Sequence, residues 1–159
     1  MTPSEEPVLG GVQELGHVVL YVRDLDRSVE FYRAVLGWRQ LGAPASLGRL
    51  PIAMFSGGRT HHELLLIEVG HDATPIPPGR RIGMYHFGLK VGDSDEELRA
   101  ALGRLQEAGV VVMGATDHGV THSLYLADPD GNEIELYIDV PDVEWNFETI
   151  AAPPRPLRL

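Results

Sequence analysis

The segment DHGVTHSLYLADPDGNEIELY, residues 117–137, decides the predicted fold. It predicts a strand, a tight turn at residues 129–132 (PDGN) and a second strand that continues to Ile138. The second strand alternates strictly, and successive side chains of a strand point to opposite sides of its sheet. One side carries Ile134, Leu136 and Ile138, and the other carries Glu133, Glu135 and Tyr137. The segment therefore predicts a sheet with one apolar face and one face that carries carboxylates.

The first half of the chain predicts a strand, a helix and three further strands. The first strand is LGHVVLYV, residues 15–22, and Asp24 begins a helix whose apolar residues keep helical spacing until Gly37. Strands are then predicted near residues 38–41, 52–55 and 62–69. A polar arm, residues 1–11, precedes this half, and a Gly/Pro/Ser-rich link separates its second and third strands. The order of elements is thus βαβββ.

The same order follows the Pro-rich residues 71–82. A strand is predicted at residues 83–91, and Ser94 with Glu97 forms a capping-box signature for a helix that ends at Gly109. Strands are predicted at residues 110–113, 121–127 and 132–138. In the tail that follows, we expect the apolar side chains to dock onto the fold; they are Trp145, Phe147 and Ile150.

The two halves form an internal repeat. His17 is matched by His86, 69 residues later, and Glu63 is matched by Glu133, 70 residues later. Because such a period fixes the architecture, the predicted fold class is α+β, with two βαβββ modules pairing into a curved mixed sheet around a concave metal site. We predict one domain over residues 1–159, with module 1 at about 12–70, a linker at 71–82, module 2 at about 83–140 and a C-terminal tail at 141–159. Half-sheets of this kind pair within one chain or between two chains, and we expect a homo-oligomer.

Composition limits the function classes. The 159 residues include 23 acidic and 13 basic ones, and the net charge of −10 disfavours nucleic acid and anionic membrane surfaces as partners. No apolar run has the length of a membrane span and no signal peptide is visible, so we expect a cytoplasmic protein with no membrane partner. Cysteine is absent and seven His are present, so any metal must be held by His and carboxylate side chains.

Three such side chains are predicted to meet on the concave side. His17 and His86 hold the same position in the first strand of each module, and Glu135 has the matching phase in the last strand. A single His on a strand is usually a structural group, but two at equivalent positions with a Glu in phase favour a metal site. Two imidazoles and one carboxylate leave open coordination positions, as in the facial triad of non-haem Fe(II) oxygenases. The counterpart of Glu135 in module 1 is Leu65, so the symmetric position supplies no fourth ligand.

Two motifs carry a resemblance to a known family. The segments LGHVVLYVRDLDRSVEFYRAVLGW (residues 15–38) and DHGVTHSLYLADPDGNEIELY resemble the vicinal oxygen chelate superfamily, which includes glyoxalase I, the fosfomycin and bleomycin resistance proteins and the extradiol catechol dioxygenases. The resemblance extends over about residues 15–140. The segment DHGVTHSLY, with His62 upstream, is most similar to small single-domain catechol 2,3-dioxygenase-type enzymes. The resemblance implies an extradiol dioxygenase that inserts O2 into a catechol-type aromatic diol.

The resemblance also implies roles for individual residues. Fe(II) would be held by the His17, His86 and Glu135 side chains, with Mn(II) as the alternative because the same ligands suit both metals. His62 matches a His that handles protons, and Tyr125 matches a Tyr that hydrogen-bonds a substrate oxygen. A second catalytic His is expected before that Tyr; His118 is our assignment and His122 the alternative. These types suit the chemistry because a catechol loses protons on binding and His exchanges protons near neutral pH.

The assignment of His62 conflicts with strict alternation. In a regular fourth strand, His61 rather than His62 shares the face of Leu65. A bulge at the start of the strand would remove the conflict.

Two other functions are alternatives. One is a glyoxalase-type metal-dependent isomerase or lyase, which takes a fourth ligand from the position of Leu65 and is favoured again if Glu63 binds the metal. The other is a metal-free ligand-sequestering resistance protein, which lacks the ligand set.

Overall fold

The computed structural model of the protein describes residues 9–42 and 50–159. Residues 1–8 of the predicted polar arm and residues 43–49 of the predicted link lie outside the described residues. The chain divides into two compact units, unit 1 (Met1–Ala73) and unit 2 (Thr74–Leu159), and the boundary falls inside the predicted linker. None of the helices in the described ranges has both the length and the apolarity needed to cross a bilayer.

Unit 1 has the predicted order of elements. Its strands are β1 (Val18–Val22), β2 (Gln40–Leu41), β3 (Ile52–Phe55) and β4 (Leu64–Glu68), and they lie in the order β1-β4-β3-β2. β1 runs parallel to β4, and β3 is antiparallel to both of its neighbours. The helix α1 (Leu25–Glu30) begins where the Asp24 carboxylate accepts a hydrogen bond from the Arg27 N–H at 2.9 Å. It continues as a π-helical turn, Phe31–Val35.

Unit 2 repeats this order. Its elements are β5 (His86–Gly92), α2 (Asp95–Glu107), β6 (Gly114–Asp117), β7 (Thr121–Ala127), β8 (Glu133–Asp139), α3 (Phe147–Ile150) and β9 (Arg155–Pro156). The sheet order is β5-β8-β7-β6-β9, with β5 parallel to β8. The predicted N-cap starts α2, since Ser94 Oγ accepts from the Glu97 N–H at 3.4 Å. The Glu97 carboxylate reaches back to the Asp93 N–H at 2.8 Å, one residue before the position that a capping box uses.

The repeat extends to the strand register. Val18 of β1 lies opposite Leu64 of β4, and the equivalent residues of unit 2, Phe87 and Ile134, lie opposite each other as well. The predicted α+β class is confirmed, with one mixed sheet of four strands and one of five in the described part of the chain.

The core of unit 2 fixes which residues are left on the other face of its sheet. α2 packs against β5, β7 and β8 through its buried residues Leu98, Ala101 and Leu105. The sheet contributes the buried side chains Leu124, Leu126, Ile134, Leu136 and Ile138. Burying a side chain of this size is worth about 1.5–3 kcal/mol. A one-residue slip of β8 would expose its buried apolar side chains, so the pairing register of this strand is strongly specified. Glu133, Glu135 and Tyr137 therefore stay on the opposite face of the sheet.

The strand predicted at residues 110–113 is wrong. The helix end extends into it: Gly109 has a φ of 69°, and the Val110 N–H donates to the Leu105 carbonyl at 2.8 Å. This is a Schellman-type helix end, which takes the Val110 N–H away from strand pairing. The Met113 N–H donates to the Tyr125 carbonyl of β7 at 2.7 Å, immediately before β6. The strand β6 therefore starts later, at Gly114.

The C-terminal tail docks, but not through its predicted residues. Trp145, Phe147 and Ile150 are 56%, 85% and 61% exposed. The contact is made instead by β9, which pairs with β6 and whose Arg155 guanidinium lies 2.9 Å from the Asp117 carboxylate.

Candidate metal and substrate site

Two predicted metal ligands meet on the carboxylate-bearing face of unit 2. The parallel register of β5 and β8 places His86 opposite Glu133 and Gly88 opposite Glu135. The Nε2 atom of His86 lies 3.3 Å from the Oε2 atom of Glu135, and the two side chains are 26% and 17% exposed. An imidazole nitrogen and a carboxylate oxygen are thus adjacent and partly shielded from water.

Tyr125 completes the contacts of the Glu135 carboxylate. It lies directly opposite Glu135 on β7, and its hydroxyl donates to Oε1 at 3.0 Å. The Tyr125 oxygen also lies 2.8 Å from His118 Nε2 and accepts a hydrogen bond when that nitrogen carries the proton. Burial and the nearby Glu135 charge raise the pKa of Tyr125, so the phenol stays protonated and remains a donor near neutral pH.

The two candidates for the second catalytic His lie on opposite faces of the sheet. His118 precedes β7 and contacts Tyr125. His122 points toward the helix, where its Nδ1 atom lies 2.6 Å from Asp95 in the first turn of α2. The structure therefore brings His118, and not His122, to the Tyr125–Glu135 pair.

The side chains around the Nε2 atom of His86 are of types that suit a divalent metal, whereas its Nδ1 atom has no hydrogen-bond partner among the described residues. Its Nδ1 atom is buried without a hydrogen-bond partner in the described residues, and the nearest acidic atom, Oε1 of Glu133, is 3.7 Å away. Gly88 leaves open the space beside it, because a Cβ there would lie 3.2 Å from the Tyr137 ring and 3.7 Å from Glu135 Oε2. The donors are imidazole and carboxylate, which suit divalent iron or manganese.

In unit 1, His17 belongs to a group of three imidazoles. The ring centroids of His17 and His62 are 4.6 Å apart, and those of His61 and His62 are 4.4 Å apart. The Nε2 atom of His62 is buried and has no hydrogen-bond partner in the described ranges. Burial, followed by the His61 and His17 imidazoles, lowers the pKa of His62, so this ring is neutral near pH 7.

The conflict between strict strand alternation and the assignment of His62 does not arise in the structure. β4 begins at Leu64, so residues 61–63 precede the strand and are not bound by its alternation. No bulge is needed, and both rings lie beside His17.

Glu63 stabilises a loop. Its carboxylate accepts hydrogen bonds from the backbone N–H groups of Gly57, Arg59 and Thr60 at 2.8, 3.0 and 3.1 Å. Burial acts to raise the pKa of Glu63, but these N–H groups and Ser56 outweigh it and lower the pKa. The carboxylate is therefore occupied by its own loop, which argues against Glu63 as a metal ligand.

Sequence reasoning missed Gly88 as a site residue. A glycine inside a strand often marks close approach of another group, and that signal was present in GMYHFGLKV (residues 83–91). Sequence reasoning also had no means to find the Glu63 loop contacts, because they depend on the backbone path of residues 57–60.

The predicted ligand set is His17, His86 and Glu135. Within residues 9–42 and 50–159, no group of three or more His, Asp or Glu side chains is arranged to hold a metal ion. The set of three ligands stays a prediction.

The sequence was compared with curated proteins. It is 38% identical over 131 residues to a catechol-2,3-dioxygenase from Bacillus subtilis (strain 168), a match that covers 82% of this chain and 43% of the relative. It is 29% identical to a probable lactoylglutathione lyase from Synechocystis sp. (strain ATCC 27184 / PCC 6803 / Kazusa), over 76% of this chain and 91% of the relative. The chain spans less than two thirds of the length of the first dioxygenase relatives that it matches.

Solved structures and family models agree with the fold. A glyoxalase/dioxygenase from Nostoc punctiforme has a TM-score of 0.68 at 22% identity, covering 87% of this chain and 99% of that protein. The family model that matches residues 14–136 is described as the Glyoxalase/Bleomycin resistance protein/Dioxygenase superfamily. The chain belongs to this superfamily.

Proposed function

We propose that the protein is an extradiol ring-cleaving dioxygenase that inserts O2 into a catechol-type aromatic diol. In this proposal a non-haem Fe(II) is held by the predicted ligands His17, His86 and Glu135. The observation that carries the proposal is the contact geometry of Glu135: one carboxylate oxygen accepts from Tyr125, and the other lies beside His86 Nε2.

The His86–Glu135 distance supports shared coordination. Two ligand atoms that each lie about 2.0–2.2 Å from one cation, at right angles to each other, are about 3 Å apart. The 3.3 Å separation needs only a small adjustment of the two side chains. Bound Fe(II) would supply open coordination positions at which a diol and O2 can react with each other.

The protein residues would bind the diol and handle its protons. Tyr125, kept protonated by its raised pKa, is suited to donate to a substrate oxygen once its single O–H turns away from Glu135 Oε1. His118 would hold the Tyr125 hydroxyl in place through its 2.8 Å contact. His62, neutral and with a buried unpartnered Nε2, would accept a hydroxyl proton of the diol as a general base.

A glyoxalase-type lyase is the second candidate. One observation favours it: the chain spans 91% of the lyase relative but only 43% of the dioxygenase relative. Two observations argue against a fourth ligand from unit 1. Leu65 occupies the position equivalent to Glu135, and the Glu63 carboxylate is bound to its own loop.

The deciding experiment is anaerobic loading with Fe(II), addition of catechol and admission of O2. We expect oxygen uptake together with a yellow ring-opened product, and loss of both in His86→Ala. Mn(II) loading in parallel tests the alternative metal. Tight metal binding without oxygen uptake across several catechols, together with turnover of a glutathione hemithioacetal, would support the lyase instead. A protein that retains no metal would support the ligand-sequestering alternative.

A further inference from the structure

We propose that His61 is a positioning residue that fixes which nitrogen of His62 carries the proton. The inference deepens the proposed function and rests on it. It concerns only unit 1. The Nδ1 atoms of His61 and His62 lie 2.6 Å apart, so one of them must donate and the other accept.

The direction of this hydrogen bond follows from the burial of His62 Nε2, because a buried N–H without an acceptor is rarer than a buried acceptor without a donor. His61 is exposed, so water can hydrate its Nε2 in either tautomer, and its Nδ1 is free to accept the hydrogen bond. His62 in turn donates from Nδ1, which leaves its buried Nε2 as a lone pair. In a neutral imidazole the hydrogen bond made by one nitrogen decides the state of the other. His62 is thereby held in the form that can accept a proton from a substrate hydroxyl.

The loop that carries the pair is firmly held. The Glu63 carboxylate binds the backbone of residues 57–60, and Arg59 donates from Nη2 to the carbonyls of Leu15 and Gly16 at 2.9 and 3.1 Å. The Arg59 contacts fix the loop to the residues just before His17. The His61–His62 contact is thus held in place by the surrounding backbone.

In the proposed transfer one proton moves from the diol to His62, and no other group gains or loses a proton. The diol hydroxyl loses its proton to His62 Nε2, which becomes an imidazolium, and the Nδ1–H of that ring stays hydrogen-bonded to His61. The neutral His61 imidazole then accepts the hydrogen bond of the His62 imidazolium and stabilises its positive charge. In catalytic triads a third group orients and stabilises the base in the same way.

The first test is nitrogen NMR of the metal-free protein with ¹⁵N-labelled His. Two-bond ¹H–¹⁵N correlations distinguish the two neutral tautomers. We expect His62 with its proton on Nδ1 and His61 with its proton on Nε2. In His61→Phe the acceptor is lost and His62 should shift toward the Nε2–H form. In His61→Asn the side-chain oxygen can replace Nδ1 as the acceptor, and His62 should stay in the Nδ1–H form.

The second test is turnover of catechol by the Fe(II)-loaded variants. His61→Phe should lower kcat about tenfold with little change in KM, a part of the about 10²–10⁴-fold that a positioned acid/base contributes. His61→Asn should restore most of kcat.

Three results would overturn the proposal. They are wild-type His62 in the Nε2–H form, the same His62 tautomer in wild type and His61→Phe, and equal loss of kcat in both variants. If wild type cleaves no catechol, the proposed function fails, while the NMR measurement still decides the role of His61.

Discussion

Oε2 of Glu135 lies 3.3 Å from Nε2 of His86, while Oε1 of the same carboxylate accepts the Tyr125 hydroxyl at 3.0 Å. The two oxygens therefore have different partners, and Oε2 is the one that lies beside the His86 imidazole. The parallel β5–β8 register and the antiparallel β7–β8 register produce this arrangement together.

Glu135→Gln should keep the fold and weaken metal retention. The change removes the negative charge beside His86 but keeps the size of the side chain. Because loss even of partners outside the ligand shell costs about 10–100-fold in metal affinity, we expect at least about a tenfold loss here. Iron per protein after desalting measures retention, and thermal unfolding checks the fold. Glu148→Gln, which also removes one negative charge but at an exposed position, is the control and should retain iron as wild type does. Wild-type iron content in Glu135→Gln would refute the ligand assignment.

His62→Phe should bind iron and catechol but turn over slowly. Phe keeps the ring but removes both nitrogens, so the base is lost and kcat should fall about 10²–10⁴-fold. Steady-state oxygen uptake gives kcat and KM. The matched control is His71→Phe, an exposed position of the same unit, which should leave both constants unchanged. Unchanged kcat in His62→Phe would show that another group handles the proton.

Gly88→Ala should weaken metal retention more than it weakens the fold. The added Cβ would lie 3.2 Å from the Tyr137 ring and 3.7 Å from Glu135 Oε2, so the Tyr137 ring must move and the carboxylate beside it is disturbed. Iron content at equal protein concentration measures the effect. Retention equal to wild type would mean that the space at Gly88 is not needed.

Gly103→Ala is the control for Gly88→Ala, since both glycines belong to unit 2. Gly103 lies inside α2, where an added Cβ meets no described atom within 4 Å beyond its chain neighbours and the adjacent helix backbone. Ala should raise the free energy of unfolding by about 0.5–1 kcal/mol, because glycine is the poorer helix former. Iron retention should not change. Urea unfolding measures the stability, and a loss of stability would contradict the open surroundings of Gly103.

Glu63→Gln should lower stability in a pH-dependent way. The backbone N–H groups hold the pKa of Glu63 below its usual value, so its contribution to stability is present above that value and is lost as the pH falls through the folded pKa. We expect a loss of about 1 kcal/mol at pH 7, where the ionised carboxylate would otherwise bind the loop. The difference between wild type and variant should shrink below about pH 4, where unfolded Glu protonates. Urea unfolding at pH 7 and pH 3 measures both values. Iron retention should be unaffected, whereas a large loss of iron would favour Glu63 as a ligand.

The sequence predicted the repeat and its faces well. Alternation in residues 133–138 separated the core residues from Glu133, Glu135 and Tyr137, and burial confirms the separation. The N-cap at Ser94 was equally local and is present. Such features depend on residues a few positions apart, so a sequence displays them directly.

Features that depend on the backbone path were not predictable. The Schellman-type end after Gly109 delayed β6, although residues 110–113 have strand-forming side chains. The choice between His118 and His122 required knowing that β7 turns His122 toward Asp95. The same holds for His61 and His62. The alternation argument assumed that both residues lie in the fourth strand, whereas that strand begins only at Leu64.

The most direct test of the proposed function is the fate of oxygen in a single turnover. The Fe(II)-loaded protein is mixed with catechol under ¹⁸O2, and the ring-opened product is analysed by mass spectrometry. The proposal predicts that both labelled atoms enter one product molecule and that Glu135→Gln forms none. Ring-opened product that lacks the label, or a metal-loaded wild-type protein that consumes no oxygen with any catechol, would contradict it.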